Sequence, residues 1–201
     1  MMGGRETTDW PLDLHGVTET VVTTPDDSGH RVAALGIHAG DPVTARTYEG
    51  SYTHANLHVE GRAVVHFTRD PALVVEAALG DLTVDDPHLD APARVAISVR
   101  EIDRGRDGET GWTEWALEPD DATVKKRAIP RIERAVGAVV EAAVAASRLG
   151  VPGTDRERLE TRIEWAESVV DSCGDSRARA AMRRLQELRA DGVNGADRPD
   201  T

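Results

Sequence analysis

The sequence predicts an α+β protein, in which a small antiparallel β-barrel precedes a region of three helices. Short runs rich in β-branched residues fill the first 120 residues and are mostly joined by turns of Gly, Pro, Asp and Ser, which is typical of an antiparallel barrel. Near residue 120 the composition changes to Ala, Arg and Glu with apolar residues at helical spacing. We therefore expect a barrel domain over residues 13–120, a helical domain over 121–190 and a disordered tail over 191–201.

The barrel region opens with a predicted hairpin. The β-branched run Thr18–Thr24 ends in the turn residues Pro25–Gly29, which return the chain into a second strand, Arg31–Ala39. Residues Val43–Tyr48 alternate as a third strand.

Two helices are predicted to interrupt the strands, and the first of them is short. Gly50 and Ser51 open a helical stretch that runs through His58, and Arg62–Phe67 is a buried strand. Asp70 is a candidate N-cap with Pro71 at the first helical position, so a helix starts there.

The last two strands of the barrel are predicted on either side of a glycine-rich turn. Arg94–Ile102 alternates apolar and polar residues with period two, as expected for a half-buried antiparallel strand. Gly105–Gly111 then turns the chain into Trp112–Leu117.

The three C-terminal helices are predicted from caps and periodicity. The first begins near Pro130 and ends before Gly150, and the second begins at a capping box of Thr154 and Glu157. The third runs through Ala178–Leu188.

The charge balance restricts the partners. The net charge is −12, which argues against nucleic acid or an anionic membrane as the main partner. Only two lysines, Lys125 and Lys126, occur beside abundant Asp. This composition fits a halophilic, salt-adapted protein, and it fits equally a GC-rich coding bias.

The single cysteine and the absence of a long apolar segment favour a cytoplasmic protein. Cys173 cannot form an internal disulfide, and the longest apolar stretch, Val136–Ala146, is too short to span a membrane. His54 and His58 lie four residues apart, but no third ligand is well spaced, so we expect surface histidines and no metal site.

The strand, turn and helix from Arg46 to Asn56 suggest an anion site. A helix N-terminus with the hydroxyls of Ser51 and Thr53, and with the Arg46 guanidinium nearby, would suit a phosphate. The alternative is that Ser51 is simply an N-cap and Arg46 a solvated strand residue. No residue stands out as catalytic.

Several segments form a recognisable pattern in order along the chain: Glu19–Thr24, Tyr48-x-Gly50-Ser51-x-Thr53-x-x-Asn56-Leu57, Val64–Thr68-x-Asp70-Pro71, Ala77–Leu79, Arg134–Ala135, Val139–Ala142, Ser147–Leu149, Cys173–Gly174 and Ala181–Met182. This pattern resembles the archaeal and methylotroph domain-of-unknown-function family four-four-seven, which is related to the FMN-binding split barrels. The resemblance departs from the family pattern at Arg31–Gly36, His66 and Ala145.

The resemblance implies a split β-barrel that forms a homodimer, with FMN near the subunit interface and a helical C-terminal extension. Carried over residue by residue, Ser51, Thr53 and Asn56 would hold the phosphate and ribityl chain, Thr23 would approach from the first strand, and Arg46 would neutralise charge.

The implied function is that of an FMN-binding flavoprotein of unknown substrate. It would be a flavin-dependent oxidoreductase supplied by a small-molecule or nicotinamide electron donor, because a bound flavin carries out the redox chemistry. The alternative is a flavin-binding or dimeric assembly module without turnover. A structural protein with no cofactor is the third hypothesis.

Overall fold

The computed structural model describes residues 5–7, 9–14, 16–126 and 134–194. Within them, eight strands form one antiparallel sheet. The strands are β1 (Arg5–Thr7), β2 (Val17–Asp26), β3 (Gly29–His38), β4 (Val43–Tyr48), β5 (Arg62–Phe67), β6 (Thr83–Val84), β7 (Ala93–Asp107) and β8 (Thr110–Val124).

Six of these strands close into a barrel. The order around the ring is β8, β4, β3, β2, β5 and β7, and β7 pairs back with β8. The strand β1 adds to the end of β8, and β6 pairs with β3. The predicted antiparallel barrel followed by three helices is confirmed.

Closure depends on the two longest strands. Both β7 and β8 have 15 residues, so β7 contacts β5 near its start while β8 contacts β4. Their pairing shifts register between Ala96 and Ile97 and again between Glu101 and Asp103. Such bulges bend a strand and increase its twist, which a closed ring of six strands requires. Both strands are longer than the sequence predicts, because charged residues continue the pairing beyond the apolar run.

Alternate residues of the strands fill the barrel interior. Fully or nearly fully buried side chains there include Val22, Ile37, Leu57, Val65, Val95, Ile97, Trp115 and Leu117. The first hairpin is tighter than the predicted five-residue turn, since β2 continues to Asp26 and β3 starts at Gly29. Gly29 has φ of +129°, and a Cβ there would meet the Val84 carbonyl oxygen, so glycine is required.

Five helices accompany the sheet within the described residues. They are α1 (Tyr52–Glu60), α2 (Pro71–Leu79), α3 (Arg134–Ser147), α4 (Arg156–Cys173) and α5 (Ser176–Asn194). The strands β4 and β5 have the predicted bounds, and the helix α2 starts at Pro71 after its Asp70 N-cap, as predicted.

The helix α2 belongs to the helical unit and not to the barrel, which corrects the domain division expected from the sequence. Contacts divide the chain into a barrel unit and a second unit made of Arg69–Gly80 with the residues from Arg131 onward. Val75 of α2 is fully buried in the same apolar cluster as Val139 and Leu185. The order of elements along the chain does not predict this assignment, because α2 lies between two strands of the sheet in the sequence.

The helical unit is packed through small side chains. Alanines of α3 and α5 form much of its core together with Val139, Ile163, Val170, Met182 and Leu185. Around that core, Arg184 is 2.6 Å from Glu76, and Arg162 pairs with Glu141. Small core residues let helices approach closely, so each buried methyl group contributes to the packing.

The start of α4 differs from the predicted capping box. Asp155 is the N-cap, and its side chain accepts from the Arg158 N–H at 3.1 Å. The Thr154 hydroxyl instead donates to the carbonyls of Arg148 and Val151 in the preceding turn. Two capping residues stand side by side in the sequence, and the loop geometry selects the second.

Some expectations fall near the limits of the described residues. The helix α5 continues to Asn194, so the first part of the segment 191–201 is helical and not disordered. Residues 195–201 lie outside the described residues, as does the predicted helix start at Pro130. The strand β8 continues to Val124, past the expected boundary at residue 120.

A histidine is buried in the wall of the barrel. His66 of β5 has no exposed surface, and its Nε2 lies 3.0 Å from the Pro87 carbonyl oxygen. A carbonyl only accepts, so Nε2 carries the proton. Burial lowers the pKa of the His66 imidazole from 6.5 to about 4. The hydrogen bond to the Pro87 carbonyl acts in the opposite direction and raises this pKa, but its effect is smaller. The ring is therefore neutral in the folded protein at neutral pH.

The N-cap of α4 predicts that alanine substitutions at two adjacent positions lower the free energy of unfolding by different amounts. Asp155→Ala leaves the Arg158 N–H without its cap and is expected to lower the free energy of unfolding by about 1 kcal/mol. Thr154→Ala should lower it by less, because Thr154 caps no helix N–H. Urea unfolding of both variants measures the difference, and a larger loss for Thr154→Ala would contradict the assignment.

Neutral His66 predicts a loss of stability on acidification. Below pH 6.5 the unfolded chain takes up a proton that the folded protein resists until about pH 4. The free energy of unfolding should therefore fall across that window, by roughly 3 kcal/mol for this group alone. Urea unfolding between about pH 7.5 and about pH 4 compares the wild type with His66→Asn. The variant should show a shallower fall, and parallel profiles would contradict the prediction.

Candidate functional site

The helix α1 begins at a tight turn after β4. Gly50 has φ of +83°, a conformation that favours glycine, and it turns the chain into Ser51. Ser51 is the N-cap: its Oγ accepts from the His54 N–H at 3.2 Å and donates to the Tyr48 carbonyl at 2.8 Å. Gly61, with φ of +63°, ends the helix after nine residues.

The first turn of α1 has unpaired donors. The backbone N–H groups of Tyr52 and Thr53 have no hydrogen-bond partner among the described residues, as expected for the first positions of a helix. Thr53 as a whole residue is 7% exposed, and its hydroxyl also has no partner among those residues. The hydroxyl oxygen is not among the unpaired side-chain atoms that are shielded from solvent, so it is accessible to a ligand.

One face of α1 is attached to β2. Asn56 Nδ2 donates to Thr24 Oγ1 at 3.0 Å, and Leu57 is buried in the barrel core. The Thr23 hydroxyl, by contrast, donates to the Pro87 carbonyl at 2.8 Å and lies 3.3 Å from His66 Nε2. Thr24, and not Thr23, is therefore the β2 threonine that contacts α1.

The other face of α1 rests on two paired threonines. Thr47 of β4 and Thr113 of β8 lie opposite each other in the register. The Thr47 hydroxyl lies 3.1 Å from His54 Nδ1, and that of Thr113 lies 3.4 Å from His58 Nε2. Trp115 Nε1 donates to Thr47 Oγ1 at 2.8 Å. Polar contacts, buried or partly buried, thus join two strands to one helix.

The two histidine rings contact each other as well as the threonines. Their centroids are 4.6 Å apart at an interplanar angle of 68°. Burial, followed by the neighbouring His58, lowers the pKa of His54. The neutral form of His54 is therefore favoured at neutral pH.

A cavity of about 300 Å³ opens beside these histidines. Its lining residues are Glu49, His54, His58, Arg104, Gly105, Arg106, Trp112 and Thr113. A Cβ at Gly105 would overlap the Trp112 ring, so glycine at this position gives the indole its place.

Arg46 is directed away from α1. Alternation along β4 places Thr47 toward the helix and Arg46 on the opposite face. The Arg46 guanidinium carbon lies 3.9 Å from the Trp112 ring centroid, and the group is 3.6 Å from Glu114. Within this chain, Arg46 is not brought to the N-terminus of α1.

The structure therefore brings together part of the residue set predicted from the sequence. Ser51, Thr53 and Asn56 lie on the first turns of α1, whereas Thr23 and Arg46 have other contacts.

Thr24, Thr47 and Thr113 were missed by the sequence analysis. Threonine is common in strands, so only the register of β4 against β8 distinguishes two of them. The sequence analysis chose Thr23 of two adjacent threonines. The pair Thr23–Thr24 was the sequence feature from which Thr24 could have been predicted as well.

Among the described residues, no three His, Cys, Asp or Glu side chains come together in a way that would hold a metal ion. In the same part of the chain, no helix is long and apolar enough to cross a membrane.

Two family models match the chain. The model described as "Protein of unknown function (DUF447) N-terminal domain" matches residues 18–126. A second, described as "Protein of unknown function (DUF447)", matches residues 133–187. Together they cover the barrel region and most of the C-terminal helices.

The chain is also similar to solved structures. An FMN-bound DUF447 protein from Methanosarcina mazei is 25% identical with a TM-score of 0.74, over 88% of this chain and 96% of that one. An FMN-binding protein from Thermus thermophilus is 16% identical over 55% and 77% of the two chains, with a TM-score of 0.37. A homologue of nitrilotriacetate monooxygenase component B from Mycobacterium thermoresistibile is 18% identical over 56% and 72%, with a TM-score of 0.41.

The last two similarities are too weak to support an argument. The two family models and the extended match to the Methanosarcina mazei protein agree with each other across both regions of the chain. On these grounds, the chain belongs to the DUF447 family.

Proposed function

We propose that this protein binds FMN and acts as a flavin-dependent oxidoreductase. The observation that carries the binding proposal is the first turn of α1, where two backbone N–H groups and the accessible Thr53 hydroxyl lack partners among the described residues. The FMN-bound family member from Methanosarcina mazei supports flavin as the ligand.

The residues at this helix end fit a phosphate group. A helix N-terminus carries a partial positive charge, and its free N–H groups point toward a bound anion. Tyr52 and Thr53 supply two such donors, and Thr53 adds a hydroxyl. Ser51 holds the turn in place through its cap to His54. In a chain with a net charge of −12, backbone donors bind an anion without a large basic patch.

Asn56 extends the proposed site along the helix. Its Nδ2 is held by Thr24, which fixes the orientation of the amide and leaves Oδ1 without a partner among the described residues. A fixed amide oxygen accepts hydrogen bonds from hydroxyl groups such as those of a ribityl chain. Asn56 would therefore orient the cofactor while the helix end binds the phosphate.

Thr23 and Arg46 take no part in the proposed binding as they are placed here. The Thr23 hydroxyl is occupied by Pro87, and Arg46 faces Trp112 and Glu114. Their roles implied by the family resemblance would require either a local rearrangement or contact with the flavin of a second subunit.

We propose a homodimer with the flavin near its interface. Tyr48 and Tyr52, which flank Ser51, are 41% and 59% exposed. Exposed tyrosines combine an apolar ring with a polar tip, and such residues are enriched at protein interfaces. A second subunit that covers them would also exclude water from the flavin. A cytoplasmic location is part of the same proposal.

The chemistry would come from the flavin, which exchanges a hydride or electrons with a donor and an acceptor. The residues of this chain would bind the phosphate, orient the ribityl chain and restrict access. A flavin-binding module without turnover would use the same residues, so the two functions differ in whether the bound flavin is reduced.

The helix-end site predicts that Thr53→Val weakens FMN binding. Loss of one hydrogen bond to a charged phosphate should raise the dissociation constant about tenfold or more. Quenching of FMN fluorescence on titration with protein measures the constant. Thr161→Val is the matched control, because the Thr161 hydroxyl bonds only the Glu157 carbonyl of its own helix. Equal affinities for wild type and Thr53→Val would remove Thr53 from the site.

The oxidoreductase proposal predicts that the bound flavin accepts electrons. Addition of NADH or NADPH without oxygen should bleach the visible absorbance of the FMN-loaded protein, and an added acceptor should restore it. Free FMN at the same concentration is the control for uncatalysed reduction. Bleaching no faster than that of free FMN with either nicotinamide would favour the binding module.

A further inference from the structure

We infer that the cavity beside His54 and His58 is a second ligand site, which takes a small molecule carrying a carboxylate or phosphoryl group. Its volume of about 300 Å³ is at the lower end of the range for small-molecule sites. Polar and aromatic side chains line it, and none of them belongs to the residue set proposed for FMN.

An unpaired donor lies in the wall of this cavity. Trp112 Nε1 is shielded from solvent and has no hydrogen-bond partner among the described residues. An unpaired buried N–H is unfavourable by about 1–3 kcal/mol, and native proteins rarely leave one. A ligand with an acceptor oxygen that reaches Nε1 would satisfy it. An indole N–H donates and cannot accept, so the ligand must present an acceptor.

The histidines offer further polar atoms. Each ring uses one nitrogen for a threonine, His54 Nδ1 with Thr47 and His58 Nε2 with Thr113. The second nitrogen of each ring has no protein partner among the described residues. The threonines therefore fix the orientation of both rings while one nitrogen of each remains for a ligand.

Two arginines at the mouth favour an anion. The Arg106 guanidinium lies 3.8 Å from the Glu49 carboxylate, so the two groups form an ion pair but no hydrogen bond. The Arg104 guanidinium lies 2.6 Å from the Glu101 carboxylate. The Arg106 and Glu49 side chains are both more than half exposed, so their attraction is weak. Arg106 also donates to the Glu109 carbonyl, so a ligand would compete with these two contacts for the guanidinium group. A guanidinium group binds carboxylates and phosphates in a paired geometry. Glu49 is the carboxylate that such a ligand would replace.

This site is distinct from the proposed phosphate site on the same helix. Asn56 and Leu57 face β2 and the barrel core, whereas His54 and His58 face β4 and β8. One helix thereby separates two sites, and a small acid bound in the cavity would lie close to the flavin site without sharing its donors.

Nuclear magnetic resonance of the full chain tests this inference. Inorganic phosphate and acetate are titrated separately at constant ionic strength set with sodium chloride, and the Trp112 indole N–H and the His54 ring C–H signals are followed. Trp112→Phe assigns the indole signal. We expect saturable shifts with at least one of the two anions, and the anion that saturates identifies the preferred group.

Arg106→Gln should weaken that binding about tenfold, because it removes one charge-assisted contact. Arg100→Gln is the matched control, since Arg100 lies on the same strand but pairs with Glu118 outside the cavity. The absence of saturable shifts with both anions, or an equal loss in Arg100→Gln, would overturn the inference. Displacement of the anion by stoichiometric FMN would also overturn it, because the cavity would then belong to the flavin site. We expect the FMN affinity of Arg106→Gln to be unchanged. A loss of anion binding in this variant then reports on the cavity and not on the proposed flavin site.

Discussion

The pairing of β4 with β8 is the constraint on which the arrangement of the site depends. The register places Thr47 opposite Thr113, and these two hydroxyls contact the two histidines of α1. The helix is short, with nine residues, and isolated helices of that length are unstable in water. Its position therefore comes from the barrel. Closure of the ring by the long strands β7 and β8 holds β8 where β4 can pair with it.

This arrangement explains why the helix end is rigid enough to serve as a binding site. Thr24 holds Asn56 on one side, Thr47 holds His54 on the other, and Leu57 is buried between them. The N-terminal turn, with the exposed Tyr52, remains open to a ligand. Binding by backbone N–H groups requires little side-chain reorganisation, so the fold itself supplies the preorganisation. An acidic protein can bind an anion in this way and keep its negative surface charge, because the donors are backbone N–H groups.

The fold was largely predictable from local patterns. Turn residues and alternation predicted β4 and β5, and Asp70 with Pro71 predicted the start of α2. The assignment of α2 to the helical unit was not predictable, because it depends on long-range packing around Val75. For the site, Ser51 and Thr53 were predictable from a cap after a strand. The contributions of Thr47 and Thr113 were not predictable, because they depend on the register of β4 against β8. Turn geometry and long-range strand pairing together determine that register. Arg46 was close in sequence to the site and yet faces away, as strand alternation requires.

The central claim is that FMN binds through its phosphate to the first turn of α1. Amide chemical shifts of the full-length protein, measured with and without one equivalent of FMN, test it most directly. The account predicts that the backbone N–H signals of Tyr52 and Thr53 move most, because these two donors lack partners among the described residues. Saturated FMN binding with those two signals unchanged would contradict it, and would place the phosphate elsewhere on the barrel.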